Sequence, residues 1–527
     1  MKRSIKKLTQ QQFDIIVVGA GVHGACAARD AALRGLTVAL IDKGDICGQT
    51  SHNSLKIIHG GLRYLQHLNI KRTLESLQEQ KIWLTIAPHL VKPMQCIMPT
   101  YGHGMRGPEV MWLGIQTYQF LALGRNRSIP RHRQIPSGSV ISREKCLQMI
   151  PGIESENLTG AAIWYDAQVF AADEAVIETA ASAAHHGAQV ASYVSAQTIL
   201  YDGQKVTGVR ARDELTQESF DISGSIVINA AGPWAKGLLS TLDISKFDDF
   251  DLPLTKSMNI VTRPLFDDYA VAINSKRKSD SVVGATKRLY FFTPWKDCTI
   301  TGTTHFAYNG DPDSLRTSKE EVQQFISEIN AVYPRANLTL DDVCYCYKGL
   351  TPAEEPQAGQ TTGAETKRSH HSKIIDHATD GAEGIISIIG IKYTTARLIA
   401  EKGIDLACRK LDRPQLTCST RTTPLENSDA DNIDAESLSD KDFREYCCSK
   451  VENSMAMHLT DLVLRRMNLA MQGKLTLEKL KICMEVMVQA YDWNDSQIAG
   501  EIEELSKTWL SPELKHELTM MINASAQ

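Results

Sequence analysis

The chain has 527 residues, 43% hydrophobic and 23% charged, a composition that suits two or three globular domains with a large buried core. Its 57 basic and 62 acidic residues give a formal charge of -5, which excludes a general electrostatic pull toward nucleic acid. Twelve irregularly spaced cysteines form no Cys-x-x-Cys pair, so the sequence predicts a reducing compartment, buried or incidental thiols and no metal site.

The first dozen residues, MKRSIKKLTQQQ, are basic and polar, and no apolar region of the signal-peptide type follows them. No apolar run reaches 18 residues, so a membrane-spanning helix is not expected. The expected location is therefore cytoplasmic, free or at the inner face of the cytoplasmic membrane. Residues 13–43 predict a βαβ unit. Phe13 to Val18 is an apolar strand, Ala25 to Leu33 an alanine-rich helix, and Leu36 to Ile41 a second strand that ends at Asp42. The turn between strand and helix reads Gly19-Ala20-Gly21-Val22-His23-Gly24. Glycines there allow a tight turn and close approach of backbone to a pyrophosphate, and the helix N-terminus adds free N–H groups and a positive dipole end. Asp42 follows Gly24 by eighteen residues, where a ribose-binding acid belongs. Gly19, Gly21, Gly24 and Asp42 are the first cofactor candidates.

Further along, Val110-Met111-Trp112-Leu113 with Ile115, Tyr118, Phe120 and Leu121 is an apolar stretch that suits either a membrane interface or core packing. The segments from Gln189 to Val194, Thr198 to Tyr201, Lys205 to Arg210, Arg288 to Thr293 and Thr299 to Thr303 read as strands of a substrate domain. Ser225 to Ala231 and Gly384 to Ile389 are buried-type strands that could return to the first sheet, which makes an interleaved domain plausible. Residues 1–423 thus form one dinucleotide-binding and substrate-binding unit, 424–440 a polar, acidic linker, and 441–527 a helical C-terminal domain, where Leu459, Leu462, Val463 and Met467 share one face and Leu480, Cys483 and Val486 another. The glycine motif alone does not separate FAD from NAD. The later Asn229-Ala230-Ala231-Gly232-Pro233-Trp234 favours FAD, because it is similar to the second nucleotide-contact segment of flavoproteins with two dinucleotide-binding domains.

The stretch from Thr50 to Leu65 (TSHNSLKIIHGGLRYL) closely resembles the flavin-contact segment of FAD-dependent glycerol-3-phosphate dehydrogenases, of the D-amino-acid-oxidase-like superfamily. Matching pieces recur in order: Ala87 to Leu90, Asn229 to Trp234, Arg288 through Gly302-Thr303-Thr304, Lys392 to Arg397 (KYTTAR) and Leu464-Arg465-Arg466. The resemblance implies an α/β and α+β fold: a Rossmann-type FAD-binding domain interleaved with an antiparallel-sheet substrate domain, plus a helical C-terminal domain. It also implies oxidation of sn-glycerol 3-phosphate to dihydroxyacetone phosphate, with electrons passed to a quinone or similar acceptor at a membrane surface. A homodimer stays open.

On that resemblance the cofactor set extends to Thr50, Ser51, Ser54, His59, Gly60, Gly61, Ala231, Gly232, Lys392 and Thr394, and the substrate set is Arg63, Tyr64, Lys392, Arg288, Asn259 and Thr351. Arg63, Arg288, Lys256, Lys392 and Arg397 are the cations that could hold a phosphate. Two positions depart from the family. Asn259 stands where the resembling enzymes usually carry a His, and an amide is no general base near neutral pH. Thr351 stands where they usually carry a phosphate-binding Arg, and it brings neither charge nor fork. His305 stands where relatives often carry an acid. A flavin dehydrogenase or oxidase of the same fold acting on another small alcohol, hydroxy acid or amine is the alternative; a non-catalytic flavin protein would have lost the pocket cations.

Overall fold

The computed structural model describes residues 1–65, 68–104, 107–203, 205–242, 244, 247, 250, 252–278, 287–354, 369, 371–425 and 433–525. The first apolar run, Gln12–Val18, lies in the middle of a parallel sheet. It pairs with Ser219–Asn229 on one side and Val38–Ile41 on the other, and Val18 stands level with Asn229 and Ile41. Ile385–Ile389 adds beyond Ser219–Asn229 and Gln189–Ala191 beyond Val38–Ile41, both parallel. Strands covered on both faces need apolar residues throughout, which is why IIVV, VALI and IISII read as continuous runs. On one face, the alanines of helix Val22–Leu33 admit close packing of helices Ala172–His185 and Ala396–Lys410.

The two late strands do return to this sheet, as their apolar runs suggest. Three segments assigned from sequence to the substrate domain lie here as well. Gln189–Ala191 is an edge strand of the parallel sheet, and Val194–Asp202 and Lys205–Asp213 extend it antiparallel from Ser219–Asn229. Alternating hydrophobicity marks a strand but not its sheet. Val194, Ile199, Val206, Val209 and Ala211 join Phe13 and Val227 in one buried cluster, and that packing decides the membership.

The second sheet has nine strands. Its order is Val343–Pro352, Leu254–Thr262, Cys298–Tyr308, Lys287–Trp295, Tyr269–Lys278, Val91–Tyr101, Leu158–Val169, Ile57–Ile58, with Ser139–Ser142 also on Leu158–Val169. All pairs are antiparallel except Tyr269–Lys278 with Val91–Tyr101. Helix Lys319–Val332, started by a Ser318/Glu321 capping box, covers the outer face through Val322, Phe325, Ile326 and Ile329. The inner face looks toward the C-terminal ends of the parallel strands, the usual ligand position in open α/β sheets.

The C-terminal helices Asp440–Ser454, Leu477–Tyr491, Asp495–Ser506 and Pro512–Ser525, with a wide helical turn at Asp461–Arg466, bury the apolar faces expected from their periodicity, Leu459, Leu462, Val463 and Met467 included. They pack on Val261, Trp295, Ile300, Tyr345 and Tyr347 of the second sheet. Much of the polar stretch 424–440, residues 426–432, lies outside the described residues. Among the described residues no helix is long and apolar enough to cross a membrane, and no metal-binding cluster occurs.

Candidate flavin and substrate site

The strand ends and the inner face of the second sheet enclose one cavity of about 2690 Å³. The glycine turn lies in its wall. Gly19 has φ +104°, and a Cβ there would press on the Ala230 carbonyl; one on Gly24 would overlap the Gly19 carbonyl oxygen. These two contacts let the strand, the helix and the Asn229 segment meet at one point. Ser51 Oγ accepts from Val22 N–H at 2.9 Å. Asp42 accepts from Ala20 N–H at 2.6 Å and from Gly44 N–H at 2.9 Å, and burial pushes its carboxyl up to about 6. A dinucleotide fits this wall: glycine backbone and helix N-terminus for the pyrophosphate, Asp42 for a ribose hydroxyl.

A consequence can be tested. The Asp42 carboxyl ionises from 3.8 upward when unfolded and near 6 when folded, so the cofactor-free protein loses stability as pH rises between those values. A ribose hydroxyl donates best to the ionised form. FAD affinity is therefore expected to fall about tenfold as pH drops from 7 to 5, since hydrogen bonds to charged groups are worth about 1.5–3 kcal/mol. Asp42→Asn should bind FAD weakly and without that pH dependence. Fluorescence titration of the apoprotein reads both; a slope that survives in Asp42→Asn would contradict the assignment.

The Thr50 to Leu65 segment joins the two sheets. Thr50 Oγ1 donates to the Leu350 carbonyl at 2.8 Å, and Asn53 Nδ2 donates to the Ser257 carbonyl at 2.9 Å. Gly349 allows this approach, because a Cβ there would sit 3.2 Å from Asn53 Nδ2 and from Thr50 Cα. His52 Nδ1 and Lys56 Nζ hold the buried Asp173 carboxylate at 2.8 and 3.1 Å, which pins the segment to helix Ala172–His185. Ser54 Oγ accepts from Lys56 N–H at 3.4 Å. His59 N–H donates to Thr394 Oγ1 at 3.2 Å, bringing the Lys392 to Thr394 loop alongside. On the opposite wall, Ala231 N–H donates to Asn229 Oδ1 at 3.3 Å, and Gly232 turns at φ +57°. Gly19, Gly21, Asp42, Thr50, Ser51, Ser54, His59, Gly61, Ala231, Gly232, Lys392 and Thr394 all line the cavity. Gly24 and Gly60 stand behind its lining. Gly60 donates its N–H to Asp166 at 2.6 Å, and a Cβ on it would collide with the Tyr118 hydroxyl.

At the inner face of the second sheet the structure assembles Arg63, Tyr64, Lys392, Asn259 and Thr351. Lys392 Nζ donates to the Tyr64 hydroxyl and lies over its ring, 4.0 Å from the centroid. Tyr64 Oη lies 3.4 Å from His59 Nε2. Arg63 makes no hydrogen bond or ion pair with any described residue and is exposed at the cavity wall. Thr351 Oγ1 is buried without a partner among the described residues. Asn259 is held on both sides: its Oδ1 accepts from Thr303 Oγ1 at 2.8 Å, and its Nδ2 donates to Asn53 Oδ1 at 2.5 Å.

Three of the expected cations are engaged by carboxylates of the protein. Arg288 lines the cavity, but its guanidinium lies 3.2 Å from Glu328 and 3.1 Å from the Tyr290 hydroxyl, toward helix Lys319–Val332. Lys256 points to the same outer side, bound to Glu321 at 2.6 Å. Arg397 is buried against Glu79 and Glu401, at 2.6 and 2.7 Å. Strand parity explains the first two, since their neighbours Leu289 and Ser257 face inward. Sequence reasoning gave no site role to Asn53, Ser257 and Thr303, although Asn53 and Thr303 lie inside the matching segments.

A glycine turn with a ribose-type acid, a segment laid between two sheets and an unpaired cation beside the cavity define a flavin-dependent oxidoreductase. The family model for FAD dependent oxidoreductases matches residues 14–398. Glycerol-3-phosphate dehydrogenase of Synechocystis is 33% identical over 83% of this chain and 78% of its own length. That of Mycobacterium leprae is 32% identical over 75% of this chain and 63% of its own, so the chain spans a little under two thirds of that relative. The FAD complex of the Bacillus halodurans glycerol-3-phosphate dehydrogenase aligns with TM-score 0.68 at 21% identity, over 98% of this chain and 96% of the other, a likeness of fold. The chain belongs to this family of FAD-dependent oxidoreductases, in the branch that holds the glycerol-3-phosphate dehydrogenases, and its cofactor is FAD.

Proposed function

We propose that the protein oxidises sn-glycerol 3-phosphate to dihydroxyacetone phosphate. The observation that carries this reading is Arg63, a cation at the cavity wall with no partner among the described residues. A guanidinium at the cavity wall without a protein partner is open to a ligand's negative charge, and a phosphate dianion matches its fork geometry. Lys392 and Tyr64 stand beside it as further donors. Bound FAD supplies the hydride-accepting centre; the chain's part is to fix the phosphate so that the secondary carbon faces it, and to keep water away. Anaerobic addition of sn-glycerol 3-phosphate to the holoenzyme should bleach the flavin and yield dihydroxyacetone phosphate, whereas glycerol should fail.

The second reading, another small alcohol, hydroxy acid or amine, is favoured by Asn259 and Thr351. An anaerobic screen of phosphorylated polyols, hydroxy acids and amines decides between the two. Bleaching by a non-phosphorylated compound in preference to glycerol phosphate would select the second.

Electron delivery to a quinone at the inner face of the cytoplasmic membrane is the matching downstream step. Its support is an apolar surface beside the cavity mouth. Helix Pro108–Leu121 buries Ile115 and Tyr118 but exposes Trp112 (52%), Leu113 (59%) and Phe120 (71%), and Leu68 (85%) is exposed as well. Leu68, Val110 and Leu113 also line the cavity. Replacing Trp112 and Phe120 by serine should lower retention on anionic liposomes at least fivefold with flavin reduction unchanged. Equal retention would remove the support.

A further inference from the structure

Oxidation of a secondary alcohol by hydride loss also requires the hydroxyl proton to leave, and the place of the usual histidine is taken here by Asn259. That amide is locked between Thr303 and Asn53, and it has no basic lone pair. An imidazole on the same sheet face belongs to His305. In the antiparallel ladder His305 stands directly opposite Ser257, and its Nδ1 lies 2.9 Å from Ser257 Oγ. Ser257 and Asn259 are two residues apart on one strand, so their side chains share a face about 7 Å apart. Met258 between them packs into the core beyond the sheet. Ser257, Asn259, Thr303 and His305 all line the cavity. A register break at Met258/Asn259 sets Thr303 out of the ladder and lets its hydroxyl reach Asn259. The base is thus absent from its usual place, and a serine–histidine pair stands one strand step away.

We propose that Ser257 and His305 form the proton-accepting pair of this site, with Ser257 Oγ touching the substrate hydroxyl and His305 acting through it. This rests on the alcohol-oxidation reading above. As the C–H electron pair leaves as hydride, the substrate O–H bond breaks and its proton goes to Ser257 Oγ. The serine's own proton passes to His305 Nδ1, leaving a ketone, an intact serine and an imidazolium that returns its proton to water. The pair needs the tautomer in which Nε2 carries the hydrogen. Ser257 is then the catalytic residue, and His305 its positioning and proton-accepting partner. The charged groups on the surrounding strands are Lys256, bound to Glu321 on the outer side, Lys348 opposite Met258, Arg288 near Glu328, and Glu354 beyond Thr351.

Two measurements on the holoenzyme test this. Without substrate, histidine-selective NMR should show His305 titrating between about pH 5 and 8, with its midpoint moved in Ser257→Ala. With sn-glycerol 3-phosphate, the limiting rate of anaerobic flavin reduction should fall at acid pH in the parent. His305→Asn should lower that rate roughly a hundredfold and lose the acid limb, the low end of what a general base contributes. Ser257→Ala should behave likewise, and Ser257→Thr should retain both rate and limb. A His305 that does not titrate, or a His305→Asn enzyme with the parent's rate and acid limb, overturns the proposal. A parent that glycerol phosphate fails to reduce counts against the substrate reading alone; the NMR titration then decides for or against the pair.

Discussion

Replacing Arg63 by methionine should weaken sn-glycerol 3-phosphate binding roughly tenfold to more than a hundredfold while FAD stays bound. The magnitude follows from losing a charge-assisted contact to a phosphate at the cavity wall, about 1.5–3 kcal/mol. Arg63 has no structural duty that would confuse the result, because no described residue bonds to it. The loss should appear in the concentration that half-saturates flavin reduction more than in the limiting rate, since no bond to the phosphate changes in the hydride transfer. Arg63→Lys should recover part of the affinity, as a point charge without the fork. Arg63→Met with unchanged half-saturation would move the phosphate site elsewhere in the cavity.

The second large effect is one of stability. Asp45 follows the second strand of the FAD-binding sheet and is completely enclosed by the C-terminal helices. Arg466 reaches both of its oxygens at 2.7 Å, Arg465 donates to it as well, and Arg465 also holds Asp461 at 2.6 Å. Burial alone would raise the Asp45 carboxyl, but Arg466 and Arg465 hold it below its ordinary value. Arg466→Met removes the principal partner and leaves a buried carboxylate half-paired, which costs about 3–5 kcal/mol. The expected result is a lower unfolding temperature and faster proteolysis near residue 433, with the FAD site altered only secondarily. The pairing contributes stability above the ordinary carboxylate range and loses it as pH falls through the lowered value, so the difference between parent and variant should shrink in acid. A variant as stable as the parent at neutral pH would show that these helices are held by their apolar contacts alone.

The parts legible in the sequence are those set by short-range chemistry. The turn from Gly19 to Gly24 requires glycine because backbone meets backbone there, and IIVV, VALI and IISII can only be strands covered on both faces. The C-terminal helices show their faces through the spacing of Leu459, Leu462 and Val463. Which sheet a strand joins is a long-range matter, so Lys205–Asp213 could be read as a strand but not placed. Candidate cations fared in the same way. Arg63, Arg288, Lys256 and Arg397 look alike in sequence, and only the positions of Glu328, Glu321 and Glu79 separate the paired from the unpaired. The Asn53, Asn259 and Thr303 chain unites residues from three distant segments, and local sequence does not show that they bond to one another. The substitution of Asn259 and Thr351 was visible early; their hydrogen-bonding state was not.

The most direct test of the central claim is anaerobic flavin reduction by sn-glycerol 3-phosphate, followed as loss of the oxidised flavin absorbance against substrate concentration. Complete, saturable bleaching with stoichiometric dihydroxyacetone phosphate is expected, abolished or shifted to much higher concentration in Arg63→Met. A flavin that stays oxidised at saturating glycerol phosphate, yet bleaches with an amine or a hydroxy acid, would contradict it.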